Sequence, residues 1–237
     1  MTSELTLLLG TAGTLGVIHT LLGPDHYVPF TAMARARQWS MRRTLSWTLL
    51  SGLGHVTSSI VIGLAGLVFG VEVLRLTKLE SLRGNLAGWL LLGFGLAYML
   101  WGIRRAMRAQ SEQIVHAHLS ESEADHSRNP HDHGLHTHVH GDRSKIKRWV
   151  LFTILVFGPC EPLIPLILYP AARADAFSVF LTALTFSVCT IVTMTGMVYL
   201  TLSGAQRIRT QRWERYAHAL AGGTIAICGA GMTFLGL

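Results

Sequence analysis

The sequence predicts an all-α membrane protein with six transmembrane helices, built as a 3+3 inverted repeat in which the first and fourth helices are broken. Three observations predict it. Half of the residues are apolar and only 14% are charged, whereas a soluble domain runs near a quarter charged. Apolar runs of roughly 20 residues, the length that crosses about 30 Å of hydrocarbon, recur six times, at about 4–34, 44–70, 84–103, 149–170, 175–203 and 214–236. The fourth run also repeats a feature of the first, because Gly23-Pro24-Asp25-His26 is matched 135 residues later by Gly158-Pro159-Cys160-Glu161. The copies are three runs apart in order, so they enter the membrane from opposite sides. Residues 1–108 then form the first repeat, 109–147 a connecting segment, and 148–237 the second repeat.

The formal net charge of +7 is distributed as a topology signal. Sixteen of the 20 Lys and Arg residues lie after the first, third and fifth runs, and only Arg75, Lys78, Arg83 and Arg173 fall in the other two connections. The positive-inside rule places the first group in the cytoplasm and both termini outside. The expected location is the inner (plasma) membrane, and nucleic acid is not an expected partner. The residues before the first run hold Glu4 and no Lys or Arg, so a secretory signal with its basic start is not expected. Cys160, Cys189 and Cys228 all fall in predicted spans and form no CxxC motif.

The first run contains HTLLGPDHYVPF, residues 19–30. Proline has no N–H to give to the carbonyl four residues earlier. Pro24 therefore frees the carbonyl of Thr20, and Pro29 that of Asp25. In the fourth run Pro159, Pro162 and Pro165 free Leu155, Gly158 and Glu161. Unpaired carbonyls in hydrocarbon cost several kcal/mol each, so such breaks persist where protein, water or an ion satisfies them. A single proline is an ordinary kink, but three packed into PCEPLIP favour a cavity. The pairs Gly66 and Gly70, and Gly84 and Gly88, read as close helix packing.

Residues 109–147 are the one long hydrophilic segment. They hold eight of the 12 histidines: His116, His118, His126, His131, His133, His136, His138 and His140. The core HDHGLHTHVHGD lacks hydrophobic periodicity and is expected to be disordered without ligand. Its composition points to auxiliary metal capture.

Ionisable residues inside a span are costly and mark function by default. His19, Asp25 and His26 lie in the first run, His55 in the second and Glu161 in the fourth. Each alone has an ordinary explanation, such as a neutral imidazole on a carbonyl or a capping carboxylate. Together they form a candidate ligand set, because imidazole nitrogen suits nickel, cobalt, zinc and copper while carboxylates offset the charge. Cys160 is either a soft ligand or a small apolar residue. Thr190 and Thr193, offset by 135 from His55 and Ser58, are candidates to support the ligands from behind.

At these residues the chain resembles the nickel/cobalt transporter superfamily, particularly its urease-accessory-type nickel permeases and its nickel-cobalt efflux branch. The resemblance is carried by HTLLGPDH, GLGHVTSS (residues 52–59) and FGPCEPLIP (residues 157–165), with the His-rich segment between the third and fourth spans. It implies a multi-pass permease for nickel or cobalt, with His19, Asp25, His26 and His55 at metal-handling positions. The partner class it admits is a cytosolic metal chaperone or a metalloenzyme maturation factor. Nickel-uptake permeases of this superfamily place four residues between the first histidine and the Asp-His pair. This chain has five, which moves the resemblance toward the urease-accessory and efflux branches.

The expected function is therefore transport of a divalent transition-metal cation by alternating access, with Ni2+ or Co2+ (or Zn2+) as cargo, no prosthetic group and no enzymatic activity. No nucleotide-binding GxxxxGK[ST] is present, and ligand deprotonation makes proton exchange a natural driving force. Three alternatives stand beside it. A sulfite or other anion exporter would use half-helix N-termini. A thiol–disulfide carrier of the cytochrome c biogenesis type also opens its fourth span with GPC, but it needs two cysteines meeting across the repeat, and in this chain the counterpart of Cys160 is Asp25. A sensor or chaperone would bind metal without flux.

Overall fold

The computed structural model describes residues 3–70, 72–122, 143–158, 160, 162–173, 175–206 and 216–236. All regular structure among them is helical. Helix α1 spans Ser3–Leu22, a 3-10 turn covers Pro24–His26, and α2 spans Val28–Ala36. Helix α3 is Met41–Val68, α4 is Val73–Ser122, α5 is Arg143–Val156, and α6 is Leu163–Ala172. Helix α7 is Ala176–Gln206, and α8, Ala217–Ala230, ends in a π-helical turn over Gly231–Leu235.

Five helices are long and apolar enough to cross a membrane: Ser3–Leu22, Met41–Val68, Leu74–Arg108, Ala176–Gly204 and Ala217–Leu235. The expected fourth span is divided into α5 and α6, of 14 and 10 residues, which rise only about 21 and 15 Å. The third span begins earlier than its apolar run suggests, since α4 starts at Val73 and takes in Lys78, Glu80 and Arg83. It also continues to Ser122, into the segment expected to lack structure. His116 and His118 fall on its last turns, where only the backbone is described. His126, His131, His133, His136, His138 and His140 lie outside the described residues, as do Pro159 and Glu161.

The distribution of side chains is inverted relative to a soluble protein. Large apolar residues such as Leu22, Val68, Phe69, Leu200 and Ile227 are exposed, while Thr44, Thr48, Ser51, His55, Ser59 and Glu80 on α3 and α4 are fully buried. An apolar exterior around a polar interior is what a lipid-facing bundle requires. Residues 44, 48, 51, 55 and 59 recur at helical spacing, so α3 turns one polar stripe inward.

Helix ends follow local chemistry. Helix α3 begins behind Ser40, whose hydroxyl accepts the Arg43 N–H at 3.4 Å, and ends at Gly70, which adopts φ 62°. That left-handed conformation is the usual glycine terminator. A Cβ on Gly70 would meet nothing within 4 Å, so this glycine ends a helix rather than packing one, against the expectation for the Gly66 and Gly70 pair.

Gly66 and Gly88 do pack closely, an added Cβ lying 2.4 Å from the Leu76 side chain and 2.6 Å from Thr233 Oγ1, and Gly88 opens a series at a spacing of seven. A Cβ on Gly95 would lie 2.3 Å from the Ala226 nitrogen, one on Gly102 2.4 Å from that of Ala219, and one on Gly222 2.2 Å from that of Met99. Helices α4 and α8 thus touch backbone to backbone along their length. Helix α5 is held to α3 by an aromatic group in which Trp47, Trp149 and Phe152 meet edge to face at 5.4, 5.5 and 6.5 Å.

Candidate metal centre

The break after α1 assembles the site. The Gly23 N–H still reaches the His19 carbonyl at 3.0 Å, but Pro24 supplies no donor, and the chain turns through His26 N–H to Gly23 carbonyl (3.2 Å) and Tyr27 N–H to Pro24 carbonyl (3.3 Å). In an unbroken helix, seven residues would rise about 10.5 Å. The turn instead brings the rings of His19 and His26 to 4.8 Å between centroids, edge to face. His55, on the inward stripe of α3, stands 5.0 Å from His26 and 6.4 Å from His19.

The three imidazoles each present a nitrogen to one point. Their donor atoms all lie within 4.8 Å of one another. The Nε2 atoms of His19, His26 and His55 are buried and have no hydrogen-bond partner. An unpaired buried polar atom costs on the order of 1–3 kcal/mol, so three converging on one place are a strong demand for a shared ligand. Nitrogens bound to one ion at about 2.0–2.1 Å stand at most about 4 Å apart. In tetrahedral geometry the nitrogens stand about 3.4 Å apart, so the widest pair of the cluster has to close by up to about 1.4 Å.

The outer nitrogens explain the orientation. His26 Nδ1–H donates to the Gly23 carbonyl at 3.0 Å and to Asp25 Oδ1 at 3.2 Å. His55 Nδ1–H donates to the Leu155 carbonyl at 3.1 Å. With the proton on Nδ1, the lone pair sits on Nε2 and faces the centre. Metal-binding histidines are generally fixed in this way by a carboxylate or carbonyl behind them.

Several expected site residues take other places. Asp25 is buried behind His26 and shares a small cavity wall with Phe30, Leu91, Leu155 and Met232. Its carboxylate contacts the outer nitrogen of His26, so it orients a ligand and contributes charge rather than joining the three donor atoms. Cys160 packs among Ala12, Val56, Leu163 and Phe186, which makes it the small apolar residue of the two readings. Thr190 is fully buried with an unpartnered hydroxyl, and its Oγ1 lies 3.2 Å from where a Cβ on Gly16 would sit, one turn before His19. Thr193 is half-buried on α7, and no described hydrogen bond joins it to the cluster.

The sequence reading missed Glu80 and Arg83. Arg83 is expected only as a topology charge in a connection, and Glu80 carries no expected role. Instead Glu80 is fully buried and ion-paired with Arg83. Arg83 Nη2 donates to the Val156 carbonyl at 3.0 Å and the Gly158 carbonyl at 3.5 Å. The signal available was an acid and a base three residues apart, directly preceding an apolar run.

The chain was compared with protein-family models, curated proteins and solved structures, and no match was found. Function is therefore argued from the residues and their geometry.

Proposed function

We propose that the chain is a membrane transporter of a divalent transition-metal cation, with Ni2+ or Co2+ as the foremost cargo. One observation carries the reading: His19, His26 and His55 bring one ring nitrogen each to within 4.8 Å of one another, and the Nε2 atom of each is buried without a partner. Imidazole nitrogen is the common donor for nickel, cobalt, zinc and copper, and an anion would find only lone pairs here. Asp25, through His26, offsets part of the ion's charge in a medium where an isolated charge is costly.

The transport cycle in this reading uses six crossings. The α1–turn–α2 segment and the α5–break–α6 segment are the interrupted helices of two oppositely inserted halves, and the ion sits between them. Rocking one half against the other opens the site to each side in turn. The cytoplasmic face is the one bearing most of the Lys and Arg residues, and the His-rich segment 116–140 gathers ions there. Since the imidazoles must be neutral to bind, ion and proton compete for the same nitrogens. The positions of the cysteines favour this reading over a thiol–disulfide carrier: Cys160, Cys189 and Cys228 are free, and Cys160 is enclosed in apolar side chains.

Flux into proteoliposomes tests the proposal with Ni2+, Co2+, Zn2+, Mn2+ and sulfite offered separately. Saturable flux of Ni2+ or Co2+, lost in His26→Ala, is expected. Flux of sulfite alone, or metal binding with no flux of any ion, would end the reading.

A further inference from the structure

Behind the metal site, the interruption between α5 and α6 is gripped by a buried ion pair. Glu80 Oε2 accepts the Cys160 N–H at 3.1 Å and the Ser59 hydroxyl at 3.4 Å, and Oε1 pairs with Arg83 Nη1. Arg83 Nη2 reaches the Ser58 hydroxyl at 2.8 Å as well as the Val156 and Gly158 carbonyls. Ser58 repeats the grip, donating to Val156 at 2.9 Å. A buried ion pair is seldom the most stabilising filling for its space, and apolar residues of equal volume often serve as well. Apolar residues cannot, however, hold one N–H and two carbonyls of the same irregular turn. That turn also presents the Leu155 carbonyl to His55.

Resting on the metal reading above, we infer that Glu80 and Arg83 are positioning residues of the three-imidazole site. They fix the backbone at residues 155–158 and 160 so that the Leu155 carbonyl accepts a hydrogen bond from His55 Nδ1–H and leaves Nε2 for the cation. A cation on Nε2 makes Nδ1–H a stronger donor, which tightens the bond to Leu155. Occupancy of the site and order in the turn are therefore linked, and the linkage runs both ways. The carboxylate and guanidinium touch no ion; they act through the backbone and His55.

Co2+ serves as the probe, because its visible absorption follows coordination geometry. Full-length protein in detergent is titrated with Co2+ and the spectrum recorded. Glu80→Gln and Arg83→Gln are expected to weaken binding about ten- to a hundredfold and to alter the absorption bands. Arg83→Lys keeps the charge beside Glu80 but lacks the planar fork that spans two carbonyls, so it recovers part of the affinity. Wild-type protein supplies a measurement independent of variant folding: Co2+ should slow amide exchange across residues 153–160, and this effect should vanish in His55→Ala. Binding lost in His55→Ala but unchanged, with the same spectrum, in folded Glu80→Gln and Arg83→Gln overturns the inference and leaves the metal reading intact. Equal exchange across 153–160 with and without Co2+ overturns it too. Absence of Co2+ binding by the wild type removes the metal reading and this inference together.

Discussion

His55 and Leu155 stand 100 residues apart in the chain and are joined by a single hydrogen bond, from the imidazole Nδ1–H to the carbonyl, at 3.1 Å. Pro159, four residues further on in sequence, has no N–H to offer that carbonyl; it accepts the Gly158 N–H at 2.9 Å and keeps its second lone pair for His55. The interruption that weakens one helix thereby creates the acceptor that aims a histidine on another. In the first break the same economy holds within one segment, where the freed turn gives the Gly23 carbonyl to His26 Nδ1. Both breaks convert lost helix bonds into orientation of a donor nitrogen.

If the three imidazoles act as one ligand set, they should fail as one. His19→Ala, His26→Ala and His55→Ala are each expected to weaken Ni2+ or Co2+ binding by more than about a hundredfold, beyond the range typical for outer-shell changes. The triple variant should be little worse than any single one, since two imidazoles no longer define a site. Titration calorimetry on detergent-solubilised protein measures this; independent, additive losses would show that the rings serve different sites.

Asp25→Asn separates charge from shape. The amide oxygen still accepts from His26 Nδ1, so the turn should survive and thermal unfolding should change little. The site loses the carboxylate charge behind His26, and affinity is expected to fall about ten- to a hundredfold. A binding constant equal to the wild type would mean that the carboxylate has no part in balancing the cation.

The three histidines were legible in the sequence because imidazole in a lipid-length apolar run is anomalous, and the GP pairs were legible because proline's missing donor has one consequence everywhere. The division of labour around them was not. Asp25 and His26 are neighbours in sequence, and only the backbone path of the turn decides that the carboxylate lies behind the ring. Glu80 and Arg83 fall outside the apolar runs because the charges at 72, 75, 78, 80 and 83 interrupt the hydropathy there. Hydropathy averages a window, and cannot register that one acid faces inward while its neighbours on the helix do not. Glycine spacing was legible in part, since Gly66 and Gly88 pack closely and Gly70 does not. The pairs four apart are conspicuous, yet the contacting glycines of α4 and α8 recur at seven, a period visible only once a partner helix is known.

Gly23 tests the turn itself. A Cβ there would lie 2.6 Å from His26 Nδ1, against a buried ring with no room to retreat. Gly23→Ala should push the imidazole off centre and abolish binding. Gly10, also on α1, has nothing within 4 Å of a Cβ, so Gly10→Ala should bind normally and unfold at the same or a slightly higher temperature, alanine being the better helix former. Equal binding by the two variants would show that His26 is not held where the structure places it.

Acid should release the cargo. Three neutral imidazoles are needed, and the reference value for imidazole is about 6.5, so binding is expected to weaken as pH falls from about 7.5 toward 5.5. A carboxylate cap offers a contrast at the start of α7. Hydrogen bonds from the Ser178 hydroxyl and the Ser178 N–H hold the Asp175 carboxyl below the usual carboxylate range. A depressed folded value means that its contribution is present above the unfolded value and lost only as pH drops through the folded one, well under pH 5. Loss of binding near pH 6 with unfolding temperature unchanged would follow from the imidazoles and not from this cap. Binding that is flat across that range would mean that the ligand imidazoles stay deprotonated throughout it and that protons do not compete for the site there.

Adjacent glycines on α8 separate effects on the scaffold from effects on the site. A Cβ on Gly222 would lie 2.2 Å from the Met99 nitrogen and 2.8 Å from the Gly95 carbonyl, both backbone atoms that cannot swing aside. One on Gly223 would meet only the Met99 sulfur, at an ordinary 3.5 Å. Forcing extra volume into a packed contact typically costs about 1–3 kcal/mol. Gly222→Ala should therefore lower the unfolding temperature in detergent, while Gly223→Ala leaves it near the wild type. Neither residue touches the imidazoles, so folded Gly222→Ala should retain Co2+ affinity within a few-fold at a temperature where it remains intact. A large affinity loss in that folded variant would mean that the α4–α8 contact also sets the position of the three nitrogens, and that the site is less locally built than the two breaks imply.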